Sequence, residues 1–120
     1  MNQDNFYVVK NTKLFIIDLD IILKTFPKNE KVLRDNIKKY SYDILSFCYE
    51  FNTLPIKYFV KERRLLEYKT LSLISMLNFY LEEAYRLGYI SENNLKKKTR
   101  ELTNIYTRLK ELIKNEESNC

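Results

Sequence analysis

The sequence predicts an all-α protein: an up-down-up-down four-helix bundle in a single domain. Three observations lead there. Gly occurs once and Pro twice in 120 residues, whereas a β-rich fold with tight turns draws heavily on both. Apolar residues recur at alternating spacings of three and four over long stretches, which is the pattern of a helix with one buried stripe. Pro27, Pro55 and Gly88 punctuate the chain into four segments of helical length. The helices are expected at about 10–25, 31–52, 55–87 and 92–115, joined by short turns.

The first helix is the most ambiguous of the four in its residue pattern. Met1 to about Lys10 reads as a leader that joins it late. Residues 13–25, KLFIIDLDIILKT, are rich in β-branched side chains and alternate around Asp18 and Asp20, as a strand does. The segment nevertheless ends at a proline, and a lone strand among helices has no partner. Read as a helix, it is apolar on two stripes: Leu14, Ile17 and Ile21 on one, and Phe15, Leu19, Ile22 and Phe26 on the other. One small bundle buries one stripe, so the second predicts a subunit interface and a homo-oligomer.

Pro27 pushes Phe26 out of the helical region, and Asn29 is placed to cap the second helix. Its predicted seam is Leu33, Ile37, Tyr40, Ile44, Phe47 and Phe51. Asn52-Thr53-Leu54-Pro55 ends it, and Asn52 or Thr53 is expected to cap the third helix. That helix carries Phe59, Leu66, Thr70, Leu73, Leu77, Tyr80, Ala84 and Leu87, with Gly88 just past its end. Ser91 caps the fourth, whose inward residues are Leu95, Leu102, Ile105, Leu109 and Leu112. Glu116 to Cys120 is expected to fray.

Composition narrows function by exclusion. Hydrophobic residues make up 45% of the chain, too many for disorder. No apolar run approaches membrane-spanning length, and the start of the chain, with Asp4, does not read as a signal peptide. Cys48 falls on the apolar side of its helix and Cys120 ends a polar tail, which is no disulfide framework; a reducing, cytoplasmic setting fits. There is no histidine, no Gly-rich phosphate loop and no zinc spacing of cysteines. Leu14-Phe15-Ile16-Ile17-Asp18-Leu19-Asp20 resembles the Asp-x-Asp opening of haloacid-dehalogenase-type phosphatases, but Ile21-Ile22 stand where that family has Gly-Thr. On a helix, residues two apart diverge by about 200°, so Asp18 and Asp20 would not share a metal. The expectation is a protein with no catalytic residues, no metal and no cofactor.

The basic residues are more informative. The chain has 21 Lys and Arg against 16 Asp and Glu, a net charge of +5. Between Asn93 and Asn115, seven basic residues stand against two acidic ones. Lys96, Arg100, Thr103, Thr107, Lys110 and Lys114 follow helical spacing as one acid-free stripe, about 27 Å long. Such a stripe suits a polyanion, Lys and Arg neutralising phosphates and Thr donating hydrogen bonds. Lys57, Lys61 and Arg64, followed by Tyr68, make a shorter stripe at the start of the third helix, and Lys31, Arg34 and Lys38 make a third. The competing reading is that these are ordinary solvated faces of bundle helices. Among ten tyrosines, Tyr40 and Tyr80 fall on seams and read as packing. Tyr42, Tyr68 and Tyr106 lie off them, free to stack on bases or fill an interface.

The order of features resembles a known family. A helix ends in Phe26-Pro27-Lys28, and an amphipathic helix follows with Leu33-Arg34-Asp35-Asn36-Ile37 and Asp43-Ile44-Leu45. A long third helix closes on Leu87-Gly88-Tyr89-Ile90-Ser91 before a final helix. Over about residues 13–115 this is similar to the bacterial four-helix-bundle proteins related to the accessory variability determinant of diversity-generating retroelements. It is similar also to the proteins encoded in intervening sequences of 23S ribosomal RNA genes. Retroelement members often have Gly and Trp toward the end of the last helix; Ile105 to Ile113 here has neither. The resemblance implies a pentameric barrel with a basic surface that binds RNA or DNA, partners a reverse transcriptase and performs no catalysis. It also implies an alternative: a structural or protein-interaction bundle of the intervening-sequence type.

Overall fold

The computed structural model describes residues 3–118 as four α-helices: α1 (Gln3–Leu23), α2 (Lys31–Asn52), α3 (Val60–Arg86) and α4 (Glu92–Ser118). Each packs on its neighbours in the chain, and α1 closes the ring against α4. The result is an up-down-up-down four-helix bundle measuring 48 × 22 × 19 Å. Residues 1, 2, 119 and 120 lie outside the described residues, and with them the expectation for Cys120.

The core forms from four seams with heptad-like spacing. In α2 the buried residues are Ile37, Ser41, Ile44, Cys48 and Phe51. In α3 they are Arg63, Glu67, Thr70, Leu71, Ile74, Leu77, Leu81 and Ala84, and in α4 Lys98, Leu102, Ile105, Leu109, Leu112, Ile113 and Glu116. In α1, Val8, Phe15, Leu19 and Ile22 point inward and continue into Phe26 beyond the helix end. The Tyr40 and Tyr80 rings stack at 5.3 Å between α2 and α3, in the packing role expected of them. Cys48 is fully buried, and burial pushes its thiol pKa up to about 12, which leaves it unreactive near neutrality.

The turns show how punctuation works. Gly88 has φ +81° and lets α3 end in a Schellman arrangement: its N–H donates to the Tyr85 carbonyl, and the Tyr89 N–H donates to Ala84. The Asn94 N–H donates to Ser91 Oγ, the cap expected for α4. The Tyr89 ring packs on Phe26, and its hydroxyl donates to Glu30. The α1–α2 and α3–α4 turns are thus tied together at one end of the bundle.

Several expectations are corrected. The leader is part of α1 from Gln3, because Asn5, Val8, Val9 and Thr12 are buried on the same spacing as the residues after them. The α2 cap is Glu30, not Asn29: its carboxylate accepts the Leu33 N–H. Thr53 closes α2 instead of opening α3, and α3 starts at Val60 with no side-chain cap. Pro55 begins a single turn that accepts the Phe59 N–H, and the chain reverses direction there before α3 begins. Phe59 and Leu87, placed on the α3 seam from sequence, are exposed. The α4 tail is helical through Ser118, held by a buried Glu116.

Candidate nucleic-acid interface

Helix α4 sorts its cations by face. Toward α1, Lys97 and Lys98 meet Asp18 at 3.2 and 2.6 Å, and Lys98 also meets Glu101 at 2.9 Å. Lys98 is fully buried, its ammonium 4.7 Å from the centre of the Phe15 ring. The Lys98 ammonium holds Asp18 below the usual carboxylate range. Further along, Arg108 pairs with Asp4 at 3.3 Å and stacks on Tyr7 at 4.4 Å. These cations fasten α4 to α1. Asp20 turns the other way and accepts from the Tyr42 hydroxyl on α2, so the two carboxylates of the Asp-x-Asp segment face different helices.

Toward α3 and solvent, Lys96, Arg100, Thr103, Thr107, Lys110 and Lys114 are all exposed in a continuous row. Arg100, Lys110 and Lys114 have no ion-pair partner among the described residues. Lys110 sits 5.9 Å from the centre of the half-buried Tyr106 ring. Lys96 departs from the acid-free expectation: Glu92, one turn earlier, reaches it at 3.3 Å. Lys96, Thr99, Arg100 and Thr103 form one wall of a groove of about 850 Å³ between α3 and α4, with Glu82, Glu83 and Tyr85 opposite. Those carboxylates are engaged within α3: Glu83 takes two bonds from Arg86, and Glu82 accepts from Asn78.

The stripe at the start of α3 is only partly assembled. Lys57 and Lys61 are exposed, Lys57 lying against the Tyr58 ring at 5.5 Å. Arg64 is not presented with them. It is drawn into the bundle by Glu67 at 3.3 Å and Glu117 at 2.6 Å, with Glu116 at 3.9 Å. Its partner Glu117 lies 53 residues along the chain, beyond what local spacing reveals.

At the opposite end of the bundle, a pocket of about 510 Å³ brings Lys24 and Lys28 beside Arg34 and Lys38, with Asp20 and Asp35 in its lining. Sequence reading found Arg34 and Lys38 but not their neighbours across the α1–α2 turn. The turn itself was the signal, because it returns the chain to the same end. What the surface offers chemically is phosphate neutralisation in a row, with exposed hydroxyls between the charges. Among the described residues, no group of three or more His, Cys, Asp or Glu side chains is arranged to hold a metal ion, and no helix is long and apolar enough to cross a membrane. Comparison with family models, curated proteins and solved structures found no match to this chain. The family resemblance therefore rests on the sequence features alone.

Proposed function

We propose that this protein is a non-enzymatic, cytoplasmic nucleic-acid-binding accessory protein, the partner of a diversity-generating retroelement reverse transcriptase. The observation that carries the nucleic-acid reading is the row of cations on the α3 side of α4 that have no ion-pair partner among the described residues: Arg100, Lys110 and Lys114, extended by Lys96. Lys57 and Lys61 add charge at the Lys110–Lys114 end, since α3 and α4 run antiparallel. The reverse transcriptase as partner is supported by the resemblance of the Phe26-Pro27-Lys28 and Tyr89-Ile90-Ser91 segments. RNA or DNA would be held through the backbone, with weak sequence preference.

The test is salt-dependent binding of labelled single- and double-stranded oligonucleotides. With Z phosphates neutralised, log K falls against log salt with a slope near −0.9Z for duplex and about −0.7Z for single strands. Replacing Lys96, Arg100, Lys110 and Lys114 by Gln should flatten that slope by up to about three units per bound subunit. Binding that the four changes leave untouched removes these residues as a site.

A second reading, a structural or protein-interaction bundle, is favoured by one observation. Leu14, Ile17 and Ile21 on α1 are 53%, 63% and 61% exposed, while the opposite stripe of the same helix is buried. An apolar row of that kind suits a second copy of the chain, a pentamer if the resemblance extends to assembly. Sedimentation equilibrium decides this point, and a clean monomer at tens of micromolar would sink the oligomer.

A further inference from the structure

The end of the bundle opposite the α3–α4 turn holds a charged cluster that the proposed function does not use. Arg63 and Arg64 of α3 face Glu67 of the same helix and Glu116 and Glu117 of α4. From the α2 side, Arg63 meets no carboxylate: it donates to the main-chain carbonyls of Phe51 and Leu54 at 2.6 and 3.2 Å. Glu67 is 0% exposed and Glu116 is 9% exposed, while Glu117 reaches solvent.

The count does not balance. With every group ionised, two guanidinium groups face three carboxylates, of which Glu67 and Glu116 are buried and Glu117 is in solvent. The geometry shows where the excess lies. Glu67 Oε1 accepts from Arg64 and Glu116 Oε1 accepts from Arg63. The second oxygens, Glu67 Oε2 and Glu116 Oε2, are both buried without a hydrogen-bond donor. The nearest cations stand beyond hydrogen-bond range, Arg63 Nε 3.6 Å from Glu67 Oε2 and Arg64 Nη2 3.9 Å from Glu116 Oε2. Two buried carboxylates crowded on the same Arg63 repel each other, and each keeps an oxygen that is costly to leave unsatisfied. One proton between them removes the repulsion, supplies the missing donor to one oxygen and the missing hydrogen to the other, and brings the cluster to neutrality.

We propose that Glu67 and Glu116 share one proton, and that this proton closes a clasp fastening the end of α4 to the start of α3. Loss of the proton to solvent leaves two adjacent buried carboxylates, and the last turns of α4 separate from α3. The clasp is then an alkaline-sensitive element at the end of the bundle where Lys57, Lys61, Lys110 and Lys114 are exposed. Burial first, and then the Glu116 carboxyl within hydrogen-bonding range, push the Glu67 pKa up to about 8 from 4.5. Above the ordinary carboxylate range the unfolded chain has released this proton and the folded chain keeps it. Stability therefore falls as pH rises toward 8, and levels off above it.

Carbon-13 NMR of the side-chain carboxyls from pH 4 to 9.5 tests the shared proton in the native chain. One glutamate should titrate near pH 8, far above the others. If every glutamate titrates below pH 6, the proposal is overturned. Urea unfolding tests the clasp. The wild-type folding constant should drop by up to about tenfold per pH unit between 6 and 8. Glu67→Gln carries a permanent donor at the same place and should flatten that dependence, while sharing every other titrating group with the wild type. A Glu67→Gln chain that keeps the full pH dependence would overturn the clasp. Should that variant fail to fold, the NMR titration of the wild type still decides.

Discussion

The cations of α4 lie on two faces that have different fates in the bundle. On the α1 side, Lys97, Lys98 and Arg108 meet Asp18, Glu101 and Asp4. On the α3 side, Arg100, Lys110 and Lys114 meet no carboxylate in ion-pair range among the described residues. Yet α3 is not poor in acids. Its own bases reach them first: Arg63 and Arg64 take Glu67, and Arg86 takes Glu83. Helix α1 has no such local pairing among the described residues, so Asp4 and Asp18 are left for α4. The charge a face presents is thus what remains after each neighbouring helix has paired within itself, and net charge alone does not report it.

The largest effect should come from breaking the α1 face. Lys98 lies on the seam, and Lys98→Ala leaves Glu101 without a cation, Asp18 with Lys97 alone, and a void beside Phe15. A loss of about 2–3 kcal/mol in urea unfolding is expected, chiefly from the void left by a fully buried stem, because the carboxylates left behind reach solvent. Lys98→Met keeps the apolar stem and should cost less. An alanine variant within about 0.5 kcal/mol of wild type would mean that this face does not hold the bundle together.

The α3 face should respond the other way. Thr103 and Thr107 are exposed between the cations of the row. Replacing both by Glu puts good helix formers in place, so stability should hold or rise slightly. Two carboxylates inside the row should weaken oligonucleotide binding more than any neutral change at the same positions, and most strongly at low salt. Equal affinity for Thr103→Glu/Thr107→Glu and Thr103→Gln/Thr107→Gln would show that nucleic acid does not follow this row.

The same contrast explains how much of the molecule was legible in its sequence. The apolar seam of α4 and the position of its exposed cations follow from spacing alone, because both are properties of a single helix. The ends of the α3 and α4 seams were hidden. Arg63, Glu67, Lys98 and Glu116 occupy core positions, and a hydrophobic pattern counts each as surface. That is why the α4 tail read as frayed, and why the α3 seam was traced along Leu66, Leu73 and Tyr80 on its flank. The start of α1 was hidden for a related reason: Asn5 and Thr12 are polar yet buried. Thr12 satisfies itself against the Val8 carbonyl, and Asn5 hydrogen-bonds Asn52 on α2. Arg64 could not be placed from sequence, since Glu116 and Glu117 lie on another helix.

The smallest effect makes the sharpest comparison. Lys96 and Lys97 are adjacent, both are exposed, and each forms an ion pair at the surface, Lys96 at 3.3 Å and Lys97 at 3.2 Å. Substituting either by Gln removes one unit of charge from the same turn of the same helix. Neither should change stability by more than about 0.5 kcal/mol, because exposed pairs contribute little and Asp18 keeps Lys98 at 2.6 Å. Their sites differ only in direction: Lys96 lies on the row beside the α3–α4 groove, and Lys97 turns to α1. If the row holds phosphates, Lys96→Gln should reduce the salt slope by just under one unit, and Lys97→Gln should leave it unchanged. Side-by-side salt titrations of the two variants with one oligonucleotide measure this. Matching reductions would mean that the protein attracts polyanions through its total charge, and the distinction between the two faces of α4 would then concern folding alone.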